Sequence, residues 1–182
     1  GTARQGWLDI RMRPERHNAV KLLLFLDVGG SMDPFITLTE ELFSAATGEF
    51  KNMEFFYFHN CLYEGVWKDN RRRFSERTPT WDILHKYGHD YKVIFVGDAA
   101  MSPYEISHPG GSGEHMNEEP GAVWLQRVAH TYPATVWLNP TPEAYWSYSQ
   151  STKMIRELMN DRMFPLTIAG IDAAMRELTR KR

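Results

Sequence analysis

Two aspartates stand where apolar runs stop. Asp27 closes the run Lys21-Leu-Leu-Leu-Phe-Leu-Asp27, and Asp98 follows Tyr91-Lys-Val-Ile-Phe-Val96-Gly97. Beside them lie small and hydroxylated residues, Gly29-Gly30-Ser31 after the first and Ser102 after the second, while Thr80 begins a further apolar stretch. Carboxylates and hydroxyls brought together from separate loops are oxygen donors, which suit a hard cation such as Mg²⁺ or Mn²⁺ better than a thiophilic metal. The same two carboxylates could also serve metal-dependent hydrolysis of a phosphate ester. An aspartate after a strand is equally a turn former or a helix cap, so either one alone decides little. Two of them on core strands of one sheet favour a site, because open α/β sheets carry their sites beyond the carboxyl ends of the strands.

Other chemistries fail on spacing. Gly29-Gly30-Ser31 lacks the Lys-Ser/Thr of a phosphate-binding loop, and no G-x-G-x-x-G follows the first run. Asp33 stands where a G-x-S-x-G nucleophile elbow needs its last glycine. A haloacid-dehalogenase-type phosphatase would want a second aspartate where Gly29 stands. His85 and His89 have i,i+4 spacing, but Gly88 interrupts that helix and Cys61 is the chain's one thiol, so zinc is not expected. His59-Asn60-Cys61 reads as a turn, and Arg71-Arg72-Arg73 as a solvated connection. Trp137, Tyr145, Trp146 and Tyr148 are expected under the C-terminal helices. Ser102 to Glu119 follows Asp98 directly and contains Gly110-Gly111-Ser112-Gly113, so it is expected to be a movable loop at the cation edge.

These residues need a scaffold. The 182 residues, 42% of them hydrophobic, fit one globular domain. A net charge of −2 provides no basic field, which argues against nucleic acid as a partner. The longest apolar run, Leu22 to Leu26, is far below the roughly 20 residues of a membrane span. One cysteine and no signal-peptide pattern make a cytoplasmic location the expectation. The start at Gly1 without Met, with Arg4, Arg11, Arg13 and Arg16 close behind, reads residues 1–19 as a basic lead-in from a missing upstream region. Residues 20–182 form the domain.

Continuous apolar runs at 21–26, 91–96 and 134–138 predict strands buried on both faces of a parallel sheet. Asp33-Pro34 predicts an N-cap and first helical residue, with an apolar stripe through Phe35, Leu38, Leu42, Ala45 or Ala46 and Phe50. Residues 53–58 and 62–67 predict an antiparallel hairpin. Helices are expected at 80–87, 122–131, 152–159 and 166–178. Strands alternating with helices predict a three-layer α/β/α sandwich, with a mostly parallel central sheet and one antiparallel edge strand.

With these elements placed, Asp27-Val28-Gly29-Gly30-Ser31-Met32, Thr80 opening a helix and Val96-Gly97-Asp98 resemble the three loops of the metal-ion-dependent adhesion site of von Willebrand factor A domains. The Asp-Val-Gly-Gly-Ser-Met-Asp-Pro stretch and the Phe-Val-Gly-Asp run are similar to the CoxE-like bacterial branch. The resemblance implies a Rossmann-like fold and Mg²⁺ or Mn²⁺ on Asp27, Ser31, Thr80 and Asp98, with Gly29 replacing one motif serine. It implies a binding module, not an enzyme, with Gly29, Gly30, Ser102 and Glu105 facing an acidic group of a partner protein. That partner would be a MoxR-type AAA+ ATPase, acting in chaperone-like assembly or metallocofactor maturation. A phosphate-ester hydrolase using Asp27 and Asp98 and a metal-free interaction module are the competing readings.

Overall fold

The computed structural model describes residues 19–71, 76–113 and 115–181. The basic lead-in, apart from residue 19, and Arg72 and Arg73 therefore lie outside the described residues.

Among the described residues, seven strands form one sheet in the order β4-β3-β2-β1-β5-β6-β7, comprising β1 (Lys21–Asp27), β2 (Asn52–Phe58), β3 (Gly65–Trp67), β4 (Arg77–Pro79), β5 (Lys92–Val96), β6 (Thr135–Asn139) and β7 (Met163–Pro165). All neighbours pair in parallel except β2 with β3 and β3 with β4. The reversed strand, β3, is thus one place in from the edge, which β4 occupies.

The helices are α1 (Asp33–Ala46), α2 (Thr80–Lys86), α3 (Pro103–Ser107), α4 (Gly121–Thr131), α5 (Gln150–Leu158) and α6 (Ile168–Thr179). Side-chain alternation along β1 divides the core between the two faces. Leu22, Leu24 and Leu26 join Leu42, Phe43 and Ala46 of α1 and Ile171, Ala174 and Leu178 of α6 in one apolar cluster. Leu23 and Phe25 join Ile83 of α2, Trp124 and Leu125 of α4 and Ile155 of α5 in the other. A sheet covered on both faces in this way is the expected α/β/α sandwich.

The connections fix where a site can form. From β1 the chain moves through α1 to β2 on one side, whereas from β5 it moves through α4 to β6 on the other. Strand order reverses between β1 and β5, whose carboxyl ends are in register at Leu26 and Val96. Doubly wound sheets open a crevice at such a switch point. Asp27 ends one of these two strands, and Asp98 lies just beyond the other.

Some elements depart from the sequence expectation. Gly30–Met32 forms a 3-10 turn that runs straight into α1, so Met32 occupies the cap position and Asp33 makes no capping bond. The stripe expected to reach Phe50 in one helix breaks at Ala46, and a 3-10 turn, Thr47–Glu49, follows. The second hairpin strand shortens to Gly65–Trp67, because residues 61–63 turn inward as core: Cys61, Leu62 and Tyr63 are fully buried. Within the segment expected as loop, the structure forms a short helix, α3, which a capping box of Ser102 and Glu105 opens.

Candidate functional site at the β1/β5 carboxyl edge

Asp27 is fully buried at the end of β1. Its Oδ1 accepts the Gly29 N–H at 2.8 Å and the Asn60 N–H at 3.0 Å. These two bonds clamp the loop after β1 against the loop after β2. The other oxygen, Oδ2, is buried without a hydrogen-bond partner among the described residues. Burial is the main cause that raises the carboxyl pKa to about 7; the two N–H groups pull it down, and the nearby charges of Asp98 and Glu105 push it further up. An ionisable oxygen in this position wants a proton or a cation.

Glycines on both sides make room for this carboxylate. A Cβ on Gly97 would lie 3.0 Å from Asp27 Cβ and 3.2 Å from Oδ2, with Trp137 also in the way at 3.1 Å. A Cβ on Gly29 would lie 2.5 Å from Asn60 Oδ1 and 3.1 Å from Asp27 Oδ1. Either side chain would intrude on the carboxylate or on the amide beside it.

Asp98 is 6% exposed, and its carboxylate accepts the Ala100 N–H at 3.1 Å. The turn that presents it is held rigidly. Ala99 takes a left-handed φ of 56°, and its carbonyl accepts Ser151 Oγ at 2.7 Å and Thr152 Oγ1 at 3.2 Å from the start of α5. A non-glycine residue in that region persists only where neighbours enforce it. Trp137 Nε1 donates to the Gly97 carbonyl at 2.8 Å, and Asn139 Nδ2 to the Asp98 carbonyl at 3.2 Å.

The remaining sequence candidates fall in different places. Gly29 is buried against Asp27, while Gly30 and Ser31 are exposed on the 3-10 turn. Thr80 is fully buried and donates its hydroxyl proton to the Tyr63 carbonyl at 2.5 Å. Its oxygen keeps lone pairs. Ser102 and Glu105 turn on each other: Ser102 Oγ accepts the Tyr104 N–H at 3.3 Å, and Glu105 Oε2 accepts the Ser102 N–H at 3.2 Å. Glu105 is 9% exposed and faces Asn60, whose Nδ2 lies 3.2 and 3.4 Å from its two oxygens. The structure thus brings Asp27, Gly29, Asn60, Gly97, Asp98 and Glu105 to one edge. No described hydrogen bond ties Ser31 or Thr80 to Asp27.

Asn60 reads in the sequence as a turn former, but in the structure it bonds both Asp27 and Glu105. Among the described residues no three His, Cys, Asp or Glu side chains cluster tightly enough to hold a metal by themselves. A cation at Asp27 therefore needs amide, hydroxyl or water oxygens as well, and the donors present are of that hard kind. Cys61 is no rival, since burial pushes its thiol up to about 12.

Elsewhere, Trp137 and Trp146 are buried, but Tyr145 and Tyr148 are 60% and 84% exposed. These tyrosines lie in a 3-10 turn, Glu143–Tyr148, after β6, and with Tyr104, 62% exposed on α3, they stand on the segments that leave the carboxyl ends of β5 and β6. The glycine tract after α3 is knitted by Asn117, which accepts the Ser112 N–H at 3.0 Å and donates to the His108 and Glu119 carbonyls at 3.3 and 2.8 Å. Arg71 pairs with Asp69 at the surface. None of the described helices is long and apolar enough to cross a membrane.

Comparisons with protein-family models, with curated proteins and with solved structures give no match for this chain.

Proposed function

We propose that this chain is a protein-binding domain of the von Willebrand factor A type. In this reading Asp27 and Asp98 hold Mg²⁺ or Mn²⁺, with Ser31 and Thr80 as hydroxyl donors. The observation that carries it is the orphaned Oδ2 of the buried Asp27, at the switch point of the sheet and close to Asp98. Two carboxylates balance a divalent charge and leave a coordination position for an acidic side chain of a partner. The exposed tyrosines on the same edge favour recognition, because tyrosine is enriched in protein interfaces. By the CoxE-like resemblance, the partner is a MoxR-type AAA+ ATPase in assembly or metallocofactor maturation, in the cytoplasm.

A pull-down with the wild type and Asp27→Ala, in Mg²⁺ and in chelator, tests this. The ATPase is expected with the wild type in Mg²⁺ and in neither control. Identical partners in all arms would refute the cation bridge. Metal-dependent turnover of phosphate esters, lost in Asp27→Ala, would replace binding by hydrolysis.

A further inference from the structure

The cation reading above leaves one coordination position short, because glycine stands at residue 29 where the resembled motif has a serine. The inference rests on that reading and concerns what fills the gap. Asn60 follows β2, and β2 runs parallel beside β1 with Phe58 opposite Asp27. Asn60, the second residue past the end of β2, therefore falls beside the loop that follows the aspartate. Its N–H donates to Asp27 Oδ1 at 3.0 Å, and its own φ is left-handed at 62°.

The side-chain amide has one consistent orientation. Glu105 offers acceptor oxygens, one of which already receives the Ser102 N–H, so the NH₂ end of Asn60 faces Glu105. The carbonyl end then faces away, toward Gly29. Oδ1 lies 2.5 Å from where a Cβ at residue 29 would stand, and Asp27 Oδ1 lies 3.1 Å from the same point. A side chain at residue 29 and the Asn60 amide thus compete for one space beside the carboxylate whose second oxygen is buried and unpartnered.

We propose that Asn60 Oδ1 is the cation-binding oxygen that stands in for a side-chain oxygen at residue 29, and that residue 29 is glycine to admit it. An amide carbonyl is a hard donor of the kind Mg²⁺ and Mn²⁺ accept. It is neutral, as a hydroxyl is, so the charge balance with Asp27 and Asp98 is unchanged.

The test is a swap, read by calorimetric titration with Mn²⁺. Asn60→Gly keeps the left-handed backbone and its N–H while removing Oδ1, and should weaken Mn²⁺ binding at least about tenfold. Gly29→Ser alone should also weaken it, because the new Cβ meets Oδ1. The double variant Gly29→Ser/Asn60→Gly should return to within about threefold of wild type, a coupling that independent sites would not show. Asn60→Gly binding as tightly as wild type, or a double variant no better than the weaker single, overturns the assignment. If wild type and Asp27→Ala alike take up no Mn²⁺, the cation reading itself falls; if Asp27→Ala loses binding while Asn60→Gly keeps it, only the role of Asn60 falls. A readout independent of variant folding is the Asn60 side-chain NH₂ resonance of the wild type. It should move saturably with Mg²⁺, at the midpoint of a Mg²⁺ calorimetric titration of the same protein, and a resonance that stays put contradicts the proposal.

Discussion

Replacing Asp27 by asparagine should stabilise the metal-free protein at neutral and alkaline pH while weakening it as a cation binder. Burial raises the carboxyl pKa from 3.8 to about 7. Between those values the folded chain keeps a proton that the unfolded chain has released, so Asp27 makes stability fall as pH rises through that window. A gap of about three pH units corresponds to ~4 kcal/mol once the group is fully ionised. Asparagine removes this cost and can keep Oδ1 as acceptor for Gly29 and Asn60. Its NH₂ then occupies the Oδ2 position without a partner, which returns ~1–3 kcal/mol.

The net expectation is a variant ~1–3 kcal/mol more stable than wild type above pH 7, with the difference shrinking or reversing toward pH 4. Urea denaturation of both proteins in chelator, at steps from pH 4.5 to 8, measures it. Within the window the stability difference should change by up to about 1.4 kcal/mol per pH unit. A difference independent of pH, or one that grows as pH falls, would refute the account of Asp27 as a desolvated carboxylate.

Three further outcomes follow from the packing. Gly97→Ala places a methyl against Asp27 and Trp137, and should lower stability by ~1–3 kcal/mol in urea denaturation. Cys61, buried and with its thiol held up near 12, should resist a thiol reagent at pH 8 in the native protein and react at once in denaturant. Tyr104→Ala and Tyr148→Ala should each leave stability within ~0.5 kcal/mol of wild type, yet reduce partner capture in the pull-down.

The parts legible in the sequence were those whose physics is local or repetitive. The strands β1, β5 and β6 are buried on both faces and read as unbroken apolar runs, and Asp27 and Asp98 fall where those runs end. Arg77-Thr-Pro79 and Met163-Phe-Pro165 are three residues each and end in proline, too short for any period and typical of an edge. Neither announces a strand. Asp33 looked like a cap because Asp-Pro commonly is one; the bond from Met32 N–H to the Gly29 carbonyl prolongs the turn and moves the cap position back. Ser102-Pro-Tyr-Glu105 carries an S-x-x-E capping signature, which accounts for the inward Glu105. Asn60 could not be singled out, since a turn asparagine looks the same whatever it touches, and its place beside Asp27 exists only because β2 pairs with β1.

The central claim is that Asp27 anchors a divalent cation. Calorimetric titration of Mn²⁺ into wild type and Asp27→Ala at pH 7.5 addresses it most directly. One site on the wild type, absent from a folded Asp27→Ala, is the predicted result. No heat from the wild type at millimolar Mn²⁺, or equal binding by both proteins, would contradict it.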